Sequence, residues 1–193
     1  MPRGTYTDPE SGATEVFQCA PGAGGWRYVG ERSDGLRTDL TVDSRWHQIR
    51  VQVGARDLLL RGGLVGRDLL WVRSAGEHGE EHSAEAAGFL GDSPGFLVAV
   101  ARSLRLEPGS QGDVRLVRLS APALSALTVT QRWRLTEVTT YDTDLTPLPV
   151  ERYEVTDLAT GEASAVHIAG DVVLDAPGVE LTDLETPPTL PQQ

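Results

Sequence analysis

The residues best suited to chemistry crowd into one stretch, "GEHGEEHSAEAAGFLGDSPGF" (76–96), where His78, Glu81 and His82 spell H-x-x-E-H. In one class of zinc peptidases that spacing holds two imidazoles on one face of a rigid helix, with the glutamate as base for a metal-bound water. A catalytic zinc also needs a third protein ligand, and His47 and His167 are the other imidazoles in the chain. The local sequence opposes a helix. Gly76 and Gly79 flank His78, each costing about 1 kcal/mol of helix propensity relative to alanine. Glu77, Glu80, Glu81 and Glu85 follow one another without an intervening cation, and no apolar stripe ties the segment to a core. We therefore expect an acidic, solvated loop after the strand "LLWVR" (69–73), with no metal and no cofactor. His78, Glu81 and His82 are the side chains on which a metal-dependent hydrolase would have to rest. No phosphate-cradling glycine loop and no Cys/His pair with an orienting acid occurs elsewhere, and no carboxylate pair stands out for glycoside chemistry.

Composition narrows the partners. The 193 residues carry a formal net charge of -11, which argues against nucleic acid and against an anionic membrane surface. Every one of the 17 cations is an arginine, a permanently charged planar fork suited to carboxylate or phosphate. Cys19 is the single cysteine, so neither an internal disulfide nor a thiolate cluster can form. No apolar run reaches membrane-spanning length, and the polar start "MPRGTYTDPESGATE" lacks a signal-peptide core, so the expected location is the cytoplasm.

The elements that must position any site are read from periodicity. Residues 1–14 read as a flexible tail, and residues 176–193, acidic and proline-rich, as a second one; residues 15–175 form a single domain between them. Within it the dominant period is two. Leu36, Thr38, Leu40 and Val42 share a face; so do Ile49, Val51 and Val53, and so do Leu127, Val129, Trp133 and Leu135. About ten strands separated by signals such as "ERSDG", "VDSR", "VGARD" and "LRGG" predict a mainly antiparallel sheet. "VERYEVTDLATGEASAVHI" (150–168) reads as a hairpin turning at Gly161. One segment departs from this pattern. Asp92 and Ser93 are N-cap residues, Pro94 fits a first helical turn, "GFLVAVARSLRL" is apolar nearly all round, and Pro108-Gly109 ends it. The economical picture is a mainly β fold: a strongly curved antiparallel sheet wrapped around one buried helix at about residues 94–106.

Arginine and tryptophan supply the candidate ligand contacts. "DSRWHQIR" and "QRWR" read as amphipathic strands with arginine outward. Trp133 falls on an apolar face. Trp46 lies opposite Ile49, on the outer face or in a groove, and Trp71 sits in a run that is apolar on both sides. Gln131 interrupts an inward set and needs a buried partner or a polar cavity. Arg45, Trp46, Arg50, Trp71, Arg102, Gln131 and Trp133 are accordingly the candidate ligand-binding residues.

These residues carry a resemblance. The D-x-x-W step from Asp43 to Trp46, followed by Arg50 and Val51, is similar to an early hairpin of a bacterial family described as glycolipid-binding. "GFLGDSPGFLVAVARSLRL" resembles its D-x-x-x-x-P-F segment with a basic, Leu-ended stretch. "GDVRLVRLSAPALSALTVTQRWRL" resembles its acidic strand, Pro-containing loop and Q-x-W/Y strand. The likeness spans roughly residues 25–136. It departs where "LVAVA" replaces a Thr-Asn-Thr-Leu-Pro run and "AGFLGD" replaces a Gly-Cys before the aspartate. What the resemblance implies is a spiral β-roll about one helix, often dimeric, shaped like periplasmic lipoprotein carriers. The functional expectation is a non-catalytic binder of an amphipathic small molecule, lipid-like or glycolipid. The alternative is a homodimeric scaffold without a small ligand, and a metal-dependent hydrolase built on residues 78–82 stands third.

Overall fold

The computed structural model describes residues 1–22, 24–143 and 146–190. A first meander runs through β1 (Arg3–Thr7), β2 (Thr14–Gly22), β3 (Gly25–Arg32), β4 (Arg37–Asp43), β5 (Gln48–Ala55), β6 (Leu58–Val65), β7 (Asp68–Ala75) and β8 (His78–Glu85). Short β9 (Gly88–Leu90) and helix α1 (Gly95–Leu104) follow. A second meander then runs through β10 (Gln111–Ser120), β11 (Ser125–Tyr141), β12 (Leu148–Asp157), β13 (Ala163–Ala169), β14 (Val172–Ala176) and β15 (Val179–Leu184). β15 pairs antiparallel with β1, which fuses the meanders into one open sheet of fifteen strands.

Its edges are β8 and β9, consecutive in the chain and joined by Ala86 and Ala87 alone. Three peptide steps span about 11 Å at most, so the sheet must bend far enough to bring its two ends together. The ends do not pair.

Both supposed tails are structural. β1, inside the expected N-terminal tail, is the middle strand of the sheet, and β15 lies inside the expected C-terminal one. Their local composition is that of a tail, but each strand finds its partner across the whole chain. Residues 191–193 of the expected C-terminal tail lie outside the described residues. More strands form than the ten or so expected, because several turns are too short to read as separate loops.

Alternation sets the core. Leu36, Thr38, Leu40 and Val42 all point inward, as do Phe17 and Cys19 from β2 and Trp26 and Tyr28 from β3. The helix is shorter than the expected span of residues 94–106, and Phe96, Val98, Ala99, Val100 and Ala101 are buried on it, so neighbours cover it nearly all round. It packs against β4, β9 and β14. Pro94 occupies the N-cap position, the Ser93 hydroxyl donates to Glu15 and accepts from Thr38 rather than capping the helix, and Arg105 ends the helix in a left-handed conformation (φ 48°).

Four local readings need correction. Ile49 is half exposed, because a bulge between β4 and β5 pairs Arg50 with Thr41 and Gln48 with Val42, turning Gln48 inward in its place. "LRGG" is not a turn but the middle of β6: a Cβ on Gly62 would stand 2.6 Å from the Trp71 Cβ, and one on Gly63 would stand 2.4 Å from the Ile49 carbonyl. The glycines there mark close approach of the backbone. Leu127 is exposed near the hairpin end of β11, where the inward set begins only at Val129. β7 is buried on one face only, Trp71 inward with Leu70 and Val72 outward.

Candidate functional site

The H-x-x-E-H segment forms a strand, not a loop, and edge strand β8 is exposed over nearly its whole length. In a strand, His78 and His82 share a face about 13 Å apart while Glu81 takes the other. One ion cannot bind all three. Among the described residues no group of three or more His, Cys, Asp or Glu is placed to hold a metal. His82 instead lies over the ring of Trp71, with centroids 5.5 Å apart.

The remaining candidates separate by location. Trp133 is fully buried, donates its Nε1–H to Gln131 Oε1 at 3.1 Å and meets Tyr153 edge-on. That bond is the buried partner Gln131 needs, and both residues belong to the core. Arg50 faces outward beside Gln52 and Arg61, and Arg45 is exposed in the β4–β5 turn. Trp46 and Arg102 do come together, at one pocket.

Asp43 places Trp46. Its Oδ1 accepts the amides of Arg45 (2.8 Å) and His47 (2.9 Å), and its Oδ2 meets the His47 ring at 3.1 Å. Burial pushes this carboxyl up, but those amides and the imidazole outweigh it and hold it below its ordinary value. The clamped turn forces Trp46 to a positive φ of 68° and tilts its ring against Trp26, centroids 5.4 Å apart. The D-x-x-W step is thus a device for aiming one indole.

Arg102, near the end of α1, donates through Nε and Nη2 to the Gly170 carbonyl (3.1 and 2.6 Å) and pairs through Nη1 with Glu151 at 2.5 Å. The Tyr153 hydroxyl donates to the same Glu151 oxygen at 3.1 Å. Its charge is therefore already matched, and it fixes the backbone next to Asp171. Asp171 is buried; Oδ2 accepts the Trp26 Nε1–H at 3.2 Å and Oδ1 the Thr189 amide at 2.6 Å.

Trp26, Trp46, Arg102, Asp171, Thr189 and Leu190 are among the residues lining a cavity of about 310 Å³. No family model matches the chain, and no curated protein does. A solved structure is similar to it, that of a DUF1089 family protein from Pseudomonas aeruginosa. The two share 18% identity over 91% of this chain and 90% of that one, with a TM-score of 0.48. No residue role is carried over from that likeness.

Trp26 and Asp171 were not among the sequence candidates. Two signals were present: Trp26 keeps the inward parity of Tyr28, and Asp171 is a lone charge inside the apolar run "AVHIAGDVVL". Neither shows that β3 and the β13–β14 turn meet, since they are about 145 residues apart. Elsewhere Phe89, Phe96, Val100 and Leu116 are buried in the core. No helix among the described residues is long and apolar enough to cross a membrane.

Proposed function

We propose that the chain is a non-catalytic binding protein that takes a small amphiphile into the Trp26–Trp46 pocket, on a fold of the spiral β-roll type. The observation that carries this reading is the pair of tilted indoles, one of them held at a positive φ, walling an apolar cavity beside a polar Asp171 corner. A cavity of about 310 Å³ is at the small end of the ligand-pocket range, roughly 300–1,000 Å³. At about 30 Å³ per water it has the room of roughly ten water molecules. That suits a medium alkyl segment or one sugar-sized ring rather than a pair of acyl chains, with about 0.8 kcal/mol gained per CH₂ buried. The resemblance to glycolipid-binding proteins points the same way.

Tryptophan fluorescence during titration with n-octyl β-D-glucoside, kept below its micelle concentration, tests the reading. Wild-type protein should show a saturable change, and Trp46→Ala should weaken binding at least tenfold, because roughly 1.5–3 kcal/mol attaches to a buried aromatic contact. An unchanged spectrum, or equal affinity in the variant, contradicts it.

A homodimer is the second reading, favoured by one feature: the outer edge of β8 makes no backbone hydrogen bond among the described residues, and Leu70 and Val72 stand exposed beside it. Light scattering of the purified chain reports the mass directly.

A further inference from the structure

The chain's own C-terminal segment lies over this same pocket. Beyond β15 the Glu185 amide donates to the Arg3 carbonyl at 2.9 Å, and the Thr186 hydroxyl donates to the Met1 carbonyl at 3.0 Å. The segment then reaches Asp171, where the Thr189 amide donates to Oδ1, and Leu190 joins Trp26 and Trp46 in lining the cavity. Gly170 is fitted to this crossing: its φ is +54°, and a Cβ there would lie 2.4 Å from the Thr189 carbonyl oxygen.

The buried Asp171 carboxylate therefore has one oxygen held by the pocket wall, through Trp26, and the other held by a donor that the chain brings across. A buried carboxylate without donors is costly. Whatever replaces the segment must offer an N–H or O–H at the same place. Arg102 adds no free positive charge, since Glu151 neutralises it.

We infer that residues 186–190 act as a self-ligand: an apolar side chain and one amide donor stand where an amphiphile with a hydroxyl or amine head next to an alkyl chain binds, and the amphiphile enters by displacing them. This rests on the binding reading above. It narrows the ligand to neutral or cationic donor-bearing heads, and it makes apparent affinity depend on how often the segment is released.

The test compares the full chain, Thr189→Pro, and a chain ending at Glu185, each titrated with n-octyl β-D-glucoside and with n-octyl sulfate below their micelle concentrations. Thr189→Pro removes the amide donor while keeping the rest of the segment, and the shortened chain removes the whole segment while keeping the β1–β15 pairing. Both should bind the glucoside about tenfold tighter than the full chain, the scale of a hydrogen bond to a charged group, and the sulfate should bind at least tenfold more weakly than the glucoside. If the glucoside binds all three chains equally, or the variants more weakly, the segment is no competitor and the inference fails while the pocket reading stands. If the sulfate binds as tightly as the glucoside, the assignment of Asp171 as the head-group acceptor fails. If no chain binds the glucoside, both fail together.

Discussion

Glu15 is buried with its two oxygens engaged: Oε1 accepts the Tyr28 hydroxyl at 2.5 Å, and Oε2 accepts the Ser93 hydroxyl at 3.0 Å just before α1. Burial raises its carboxyl above the ordinary 4.5, against the opposing pull of those two hydrogen bonds and the Arg32 charge. The folded state then holds this proton more tightly than the unfolded chain. Its contribution to stability is fully present below about pH 4.5 and is lost as pH rises through the raised value. Asp34, lowered by its hydrogen bond from Arg32, and Asp157, lowered by the Ala159 amide, act in the opposite sense, giving stability that disappears as pH falls. Comparison with Glu15→Gln separates the two. In thermal melts from pH 4 to 8, the stability of wild type relative to Glu15→Gln should decline as pH rises. Parallel curves would show that the carboxyl does not titrate in this range.

At the scale of elements, β9 survives as a three-residue edge strand because a side chain replaces its missing neighbour. The bulge that exposes Ile49 turns Gln48 inward, where Nε2 donates to the Phe89 carbonyl at 2.9 Å and Oε1 accepts the Phe89 amide at 2.7 Å. Gln48→Leu leaves both backbone groups buried without partners, a cost of roughly 1–3 kcal/mol each. Denaturant melts should show a loss of about 2–5 kcal/mol, and hydrogen exchange should be fastest at residues 88–90; a loss under 1 kcal/mol would mean that water replaces the amide. The same bulge explains what the sequence could not reveal. Strict alternation placed β4, the inward face of β11 from Val129 to Leu135 and the β12–β13 hairpin with Gly161 at its turn (φ 76°), because each obeys period two over that span. The greasy composition of 95–104 located the helix. Ile49 and Gln48 were misplaced because one extra residue inverts parity, and no composition marks where that happens. β1 and β15 were missed because their stability comes from pairing at a separation that local propensity does not register. Of the candidate site, the D-x-x-W turn and Arg102 were legible. Trp26, Asp171 and Leu190 join them only through the curvature of the whole sheet.

For the molecule as a whole, the arginines that remain outside the core mostly serve the sheet surface. Arg27 with Asp39, Arg37 with Glu31 and Arg132 with Asp113 are cross-strand pairs on exposed faces, each worth little by itself. The net charge of -11 keeps the surface anionic, which suits a neutral or cationic ligand better than an anionic one. The fold brings together the β4–β5 turn, the end of α1 and the β13–β14 turn around the pocket, and the C-terminal segment lies across it. The four tryptophans sample the molecule conveniently: Trp26 and Trp46 at the pocket, Trp71 near edge strand β8, Trp133 in the core. Their indole N–H resonances, followed by two-dimensional NMR through a titration with n-octyl β-D-glucoside, give the most direct measurement. Binding at the pocket predicts saturable shifts of Trp26 and Trp46 with Trp71 and Trp133 stationary. Four unmoved resonances, or a shift confined to Trp71, would contradict it.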